Sequence, residues 1–292
     1  MMQRSLLRSA FRNLARINSR FYSVSNTEDL KVDYLSENKQ GIVVLGLNRP
    51  EAKNAFSRNL VDLLSSAVKS ISHDNSVRAV IIRSLVPGVF SAGADLKERA
   101  KLSPDEVKVF VNSLRELLTK IEQLPMPVIS AVDGVALGGG LEMALACDII
   151  TASDTAKLGL VETKLAIIPG AGGTQRLPRR ISPSLAKELI FTARVLSGTE
   201  AKEYGIANHV VKQSENKDAA YLKAVQIAEE ILPNGPIGVR MAKLAVDKGL
   251  QVDMSTGYTI EQTCYAQVIP TQDRLEGLKA FAEKRKPVYK GH

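Results

Sequence analysis

Pro127-Val128-Ile129-Ser130-Ala131-Val132-Asp133-Gly134-Val135-Ala136-Leu137-Gly138-Gly139-Gly140-Leu141-Glu142 decides how this chain folds. Its first six residues form a β-rich apolar run. Asp133-Gly134 then turns the chain, and Gly138 to Gly140 lead into a helical run from Leu141 to Ala146. Cys147-Asp148-Ile149-Ile150-Thr151-Ala152 follows as another strand. Strand, turn, helix, strand in so short a space is the signature of an α/β core.

The same alternation extends on both sides. Gly41 to Leu47 reads as a strand ended by Asn48-Arg49-Pro50, and Val77 to Ile82 as a second strand. Between them, Leu60, Leu63, Leu64, Val68 and Ile71 fall at helical spacing. Ser103-Pro104-Asp105-Glu106 combines an N-cap serine, a first-turn proline and early acids, which opens a helix to about residue 123. Helical runs are expected near 184–193 and 199–204, and a last strand at 208–212. Beyond about residue 218 the periodicity is helical throughout, with breaks at 233–236 and near Pro270. Residues 23–38 read as a polar lead-in, and no fixed-period repeat is visible.

The chain has 292 residues, of which 45% are hydrophobic, so it can bury a full-size core. No apolar run approaches the roughly 18 residues of a membrane span. Cys147 and Cys264 are the only cysteines, too few for a disulfide framework or a cysteine-rich zinc site. His73, His209 and His292 have no ligand-like spacing, and no metal site is expected.

The net charge of +8 suggests nucleic acid, but its distribution does not. Arg4, Arg8, Arg12, Arg16 and Arg20 recur every four residues among Leu6, Leu7, Phe11, Leu14, Ile17 and Phe21, and no acid precedes Glu28. This is the composition of a mitochondrial presequence, expected over residues 1–22, with Arg20-Phe21-Tyr22-Ser23 resembling a matrix-processing site. Without it 34 of the 39 basic residues remain against 31 acids, a net of only +3.

Chemistry is concentrated at three glycine-rich turns and two glutamates. Glu142 follows Gly138-Gly139-Gly140, and Glu162 ends Gly159-Leu160-Val161-Glu162, twenty residues on. Carboxylates in apolar surroundings suit general acid and base work. Phe90-Ser91-Ala92-Gly93-Ala94-Asp95-Leu96-Lys97 lets a ligand approach the backbone closely. Donors from this turn and from the helix start at Gly138 to Gly140 could converge on one carbonyl oxygen and stabilise charge developing there. Gly170 to Gly173 reads as a close-packing turn that positions Glu162. It does not fit a dinucleotide-binding turn, because no clear strand precedes it and its glycine spacing is wrong.

In this order and spacing, the blocks Ser91 to Lys97, Asp133 to Glu142, Ala146-Cys147-Asp148 and Ile168 to Leu177 resemble the enoyl-CoA hydratase (crotonase) superfamily, over roughly residues 38–292. The resemblance implies a spiral of β-β-α turns over residues 23–217. It also implies an α-helical segment, 218–292, used in trimer packing, with two trimers commonly stacked as a hexamer. Backbone N–H groups of Ala94 and Gly139 match an oxyanion hole for a thioester oxygen. Glu142 and Glu162 match two catalytic carboxylates, the first orienting and activating water and the second protonating Cα. Ala92, Ala94 and Leu96 match positions at the adenine end of coenzyme A. Phe281 and Lys284 match residues that contact the CoA portion, and Lys53 is a phosphate candidate. Coenzyme A arrives as part of the substrate, and no separate cofactor is implied.

Having both glutamates favours a hydratase, a hydro-lyase, over the isomerases, dehalogenases and thioester hydrolases of the superfamily. Gly93 to Ala100, Gly159 to Gly170 and Ile269 to Gly277 look most like the branch that hydrates 3-methylglutaconyl-CoA in leucine catabolism, in the mitochondrial matrix. Leu160 and Val161 stand where many general short-chain hydratases of fatty-acid oxidation have Gln and Pro; such a hydratase is the alternative reading. A substrate with a distal carboxylate calls for a cation near its tail, and Lys164 is the expectation from its proximity to Glu162. RNA binding is a further alternative, because the resembled branch includes a lysine-rich helix face associated with RNA. Here that face carries Arg58, Asp62 and Ser66, which keeps one basic position of three and argues against it.

Overall fold

The structure, a computed structural model, describes residues 29–292; the presequence expected over 1–22 lies outside the described residues. Two sheets form the frame. The larger runs β1 (Leu30–Tyr34), β2 (Ile42–Leu47), β3 (Ala79–Ser84), β5 (Val128–Val132), β7 (Ile149–Ser153) and β10 (His209–Val211), in that spatial order. The smaller runs β4 (Val89–Ser91), β6 (Val135–Leu137), β8 (Lys157–Gly159) and β9 (Leu196–Ser197). Neighbours from β2 to β10 in the larger sheet are parallel, as are β4, β6 and β8 in the smaller. β1 and β9 run antiparallel at the edges.

Each turn of the spiral lays one strand in each sheet and then returns through helix. β3 and β4 are followed by α2 (Leu96–Arg99) and α3 (Pro104–Glu122). β5 and β6 are followed by α4 (Gly139–Leu145), and β7 and β8 by α5 (Gly173–Arg180) and α6 (Pro183–Thr192). The expected spiral of β-β-α turns is therefore what the chain adopts. Its repeat is one of geometry and leaves no period in the letters, because helices from four to nineteen residues close successive turns.

Strands β2, β3 and β5 are buried on both faces, which explains their nearly continuous apolar letters. Val43, Leu45, Val80, Ile82 and Val128 face the main core, with Leu60, Leu64 and Ile71 of α1 (Arg58–Ser72) and Leu114, Leu117 and Leu118 of α3. The alternate residues, Ile42, Val44, Ala79, Ile81, Ile129 and Ala131, face α8 (Ala219–Ile231). Ala220, Ala224 and Ala228 fall one helical turn apart on α8 and let it lie close to the sheet. So α8 seals the spiral, and the outer helical layer begins with α9 (Pro236–Gly249). It continues through α10 (Met254–Val268) and α11 (Gln272–Ala282). The short α7 (Gly198–Glu203) links β9 to β10.

The capped start of α3 forms as expected, with Ser103 and Glu106 in a reciprocal capping box and Pro104 in the first turn. The lead-in reading of residues 23–38 is corrected by β1. Leu30 and Val32 turn inward while Lys31 and Asp33 face solvent, a half-buried edge strand in which charges occupy the outer face. The short strands of the smaller sheet were also not expected. Two or three residues give no usable alternation, and they form because the register of the first sheet delivers them side by side.

Candidate active site

The smaller sheet builds the site. In the β6–β8 ladder Leu137 lies opposite Gly159, and the Gly138 N–H donates to the Gly159 carbonyl (2.8 Å). The two chains leave the ladder together. One enters α4 and reaches Glu142 a turn later, its N–H bonded to the Gly138 carbonyl (2.9 Å). The other enters the 3-10 turn Glu162–Leu165. A register bond between two backbones thus brings to one cavity two acids that stand twenty residues apart.

Gly138 has φ +51°, a conformation that disfavours any residue with a Cβ. A Cβ there would also lie 3.2 Å from Glu162 Oε1, so the glycine makes the room that Glu162 occupies. Gly93, with φ +93°, packs against the same turn, and a Cβ on it would come within 2.8 Å of the Leu137 carbonyl and 3.2 Å of the Gly139 nitrogen. This contact carries Ala94 beside Gly139. Among the described residues, neither the Ala94 N–H nor the Gly139 N–H donates a hydrogen bond within the chain. Gly139 opens α4, where an N–H has no intrahelical acceptor. Phe56 pairs with Ala94 in a short bridge, and Asp95 accepts from Arg49 Nη1 (2.8 Å), which fixes the segment that follows.

A cavity of about 560 Å³ is lined by Ala92, Ala94, Leu96, Gly138, Gly139, Glu142 and Glu162, among others. Phe110, Val111 and Leu114 of α3 and Val161, Leu165, Ile167 and Ile168 give it a mostly apolar wall. Glu142 is 2% exposed, and its Oε1 accepts the N–H groups of Ala171 (2.8 Å) and Gly173 (2.7 Å). Here the expectation for the Gly170 to Gly173 turn is corrected: it holds Glu142, not Glu162. The turn crosses beneath α4, and its amides aim at the carboxylate that projects from that helix.

Burial pushes the Glu142 carboxyl above its ordinary range, while those two amides and the charges of Arg176 and Arg115 pull it back. Glu162 has weaker support, from its own amide and the charge of Arg99. Its Oε2 is buried without a hydrogen-bond partner. Burial first, and then repulsion from Glu142, push its pKa up to about 7. One cavity therefore holds a carboxylate fixed by amide donors and a carboxyl that takes up its proton near neutrality. It also holds two unspent main-chain N–H groups where they could grip one oxygen.

Other expected residues fall elsewhere. Lys53 is exposed; its carbonyl accepts the Ala92 N–H (3.0 Å), which puts it beside the rim, but it does not line the cavity. Phe281, 87% exposed on α11, and Lys284 just beyond it do not line it either, because the outer helical layer stands apart from the β4–β6–β8 edge. Lys164 points to solvent and is not a wall residue. The cations that do line the cavity are Arg99 and Arg115, which the sequence reading missed. Arg58 is taken up in ion pairs with Glu98 of α2 (4.0 Å) and Glu106 of α3 (3.2 Å). Among the described residues no group of three or more His, Cys, Asp or Glu side chains could hold a metal, and no helix is long and apolar enough to cross a membrane.

The family profile described as enoyl-CoA hydratase/isomerase matches residues 37–292. The human protein named "Methylglutaconyl-CoA hydratase, mitochondrial" is 60% identical over 93% of this chain and 80% of its own length. The mouse "Enoyl-CoA hydratase domain-containing protein 2, mitochondrial" is 51% identical over 92% of this chain and 91% of its own. Among solved structures, an enoyl-CoA hydratase from Bacillus anthracis superposes with a TM-score of 0.86 at 48% identity. It covers 90% of this chain and all of its own.

Proposed function

The chain belongs to the enoyl-CoA hydratase/isomerase family, and from that premise we propose that it adds water across the α,β double bond of 3-methylglutaconyl-CoA, giving 3-hydroxy-3-methylglutaryl-CoA. The observation that carries this reading is the placing of Glu142 and Glu162 on one cavity with unequal hydrogen bonding. The 60% identity to the human protein of that name supports the choice of acyl group over a general short-chain enoyl-CoA.

The thioester oxygen sits between the Ala94 and Gly139 N–H groups. Those donors polarise the conjugated system and draw charge away from Cβ. Glu142, ionised and held by Ala171 and Gly173, orients a water and takes one of its protons as the oxygen bonds to Cβ. The electron pair of the double bond moves toward the thioester oxygen as an enolate, and the two amides hold that charge. Glu162, protonated near neutral pH, gives its proton to Cα. The cycle ends with Glu142 protonated and Glu162 ionised, and proton exchange with solvent restores both. Only side chains and main-chain amides act in this scheme, and coenzyme A enters as part of the substrate. Ala92 and Leu96, on the cavity wall, are its contacts at the adenine end.

The same reading extends to assembly and location. Leu250, Met254, Tyr258, Tyr265 and Phe281 are large apolar residues exposed on or beside α9 to α11, and α10 buries only Cys264. Such a surface is suited to packing against further copies of the chain as a trimer or a pair of trimers. Phe281 and Lys284 then meet coenzyme A through that assembly. The acid-free, arginine-bearing N-terminus and the relatives named mitochondrial support a place in the mitochondrial matrix, in leucine catabolism.

Loss of enoyl-thioester absorbance with the purified protein tests the substrate. Hydration of 3-methylglutaconyl-CoA with kcat/KM at least about tenfold above that of crotonyl-CoA is expected, a difference of about 1.4 kcal/mol in transition-state binding. A preference for crotonyl-CoA would transfer the chain to the general hydratases.

A further inference from the structure

We propose that Arg99 binds a carboxylate at the far end of the acyl group, and that this contact makes the site select a dicarboxylic acyl thioester over an uncharged one. The inference rests on the hydratase reading above and deepens it by naming the residue that sets specificity.

Two cations line the cavity, and they differ in what they already hold. Arg115 donates to the Gly170 carbonyl through Nε (3.0 Å) and Nη2 (2.7 Å), and to Asn112 Oδ1 through Nη1 (3.0 Å). It is occupied in bracing the turn that supports Glu142. The Arg99 guanidinium makes no hydrogen bond and no ion pair among the described residues, although the residue is partly buried. Arg176, which also lies near Glu142, donates to the Ala171 carbonyl and pairs with Glu122. A partly desolvated guanidinium with no acceptor is incomplete, and its planar fork matches a carboxylate.

Its place in the chain suits that ligand. Ala94 offers the N–H for the thioester oxygen, and Arg99 stands five residues later, at the end of α2. Asp95 fixes the segment between them. Its carboxylate caps α2 by accepting from the Lys97 and Glu98 N–H groups, and Arg49 clamps it from outside. Arg99 lines the same cavity as Glu162, and its charge opposes the rise in the Glu162 pKa. The Ala94 bridge and the short helix capped by Asp95 therefore present a donor for each end of a short acyl group.

The test compares wild type, Arg99→Met and Arg99→Lys in two ways. The first is the ratio of kcat/KM for 3-methylglutaconyl-CoA to that for crotonyl-CoA. The second is the ratio of inhibition constants for glutaryl-CoA and butyryl-CoA, which are saturated, against crotonyl-CoA hydration. Loss of one charge-assisted contact should lower both preferences by about 30-fold in Arg99→Met, with partial retention in Arg99→Lys. Equal losses with carboxylated and uncharged thioesters would overturn the proposal, because they would place Arg99 on the shared CoA portion. Unchanged ratios would overturn it as well. If wild type itself prefers crotonyl-CoA, the substrate reading fails. The inhibitor pair then still decides Arg99: an Arg99-dependent advantage of glutaryl-CoA upholds the contact, and its lack overturns it.

Discussion

Glu142 and Glu162 look into the same cavity from two very different supports. Glu142 rises from the first turn of α4, is almost wholly buried, and accepts two amide N–H groups from the Gly170 to Gly173 turn. Glu162 stands on a 3-10 turn, is less buried, and keeps one oxygen without a partner. The shallower acid nevertheless has its pKa pushed up to about 7. Burial raises both carboxyls, and the two amides that oppose it at Glu142 have no counterpart at the Glu162 side-chain oxygen left without a partner. This difference is what the proposed roles rest on, Glu142 as base and Glu162 as acid.

The largest expected effect comes from removing either acid. Glu142→Gln and Glu162→Gln should each lower kcat for hydration by about 10³-fold, within the range for general acid and base groups. The double variant should fall little further, because the two act in one step. Stopped-flow or steady-state absorbance of the enoyl thioester reads both. A variant that stays within tenfold of wild type would remove its acid from the chemistry and break the comparison.

A smaller effect appears in stability. The folded-state pKa of Glu162 is about 7, above its ordinary 4.5. The folded chain thus binds this proton more tightly than the unfolded chain does. The stability so gained is fully present below pH 4.5 and is lost as pH rises through 7. At pH 8 a charged, under-bonded carboxylate remains, and Gln would relieve it. After allowance for its partial exposure, Glu162→Gln should melt about 2–5 °C above wild type at pH 8 and close to it at pH 4. Thermal melts across that window check it, and a difference independent of pH would mean that Glu162 does not titrate as described. Such a gain at the expense of activity would be typical of a functional carboxyl kept under strain.

Much of this could be read from the letters, and the exceptions share a cause. The strands from Ile42, Ala79, Val128 and Ile149 and the capped helix from Pro104 follow from local pattern alone. Gly138 to Glu142 also carries its meaning locally, as a turn that must be glycine and a helix that starts after it. Lys164, expected at the acyl tail from its proximity to Glu162 in sequence, does not line the cavity. Lys164 turns outward from the 3-10 turn, whereas Arg99, sixty-three residues upstream of Glu162, reaches the cavity through the β4–β6 pairing. The partner of the Gly170 turn was misassigned for the same reason: it precedes α5 in sequence but folds back under α4. Contacts that depend on the register of three-residue strands leave no local trace.

The sharpest division between the two acids lies in proton transfer at Cα. The measurement is deuterium exchange from solvent into the Cα position of 3-hydroxy-3-methylglutaryl-CoA, followed by NMR, for wild type and Glu162→Gln. Wild type should exchange, and the variant should lose the exchange by about 10³-fold, since its amide can neither take nor return the proton. Exchange by Glu162→Gln within tenfold of wild type would contradict the assignment of Glu162 as the proton donor to Cα.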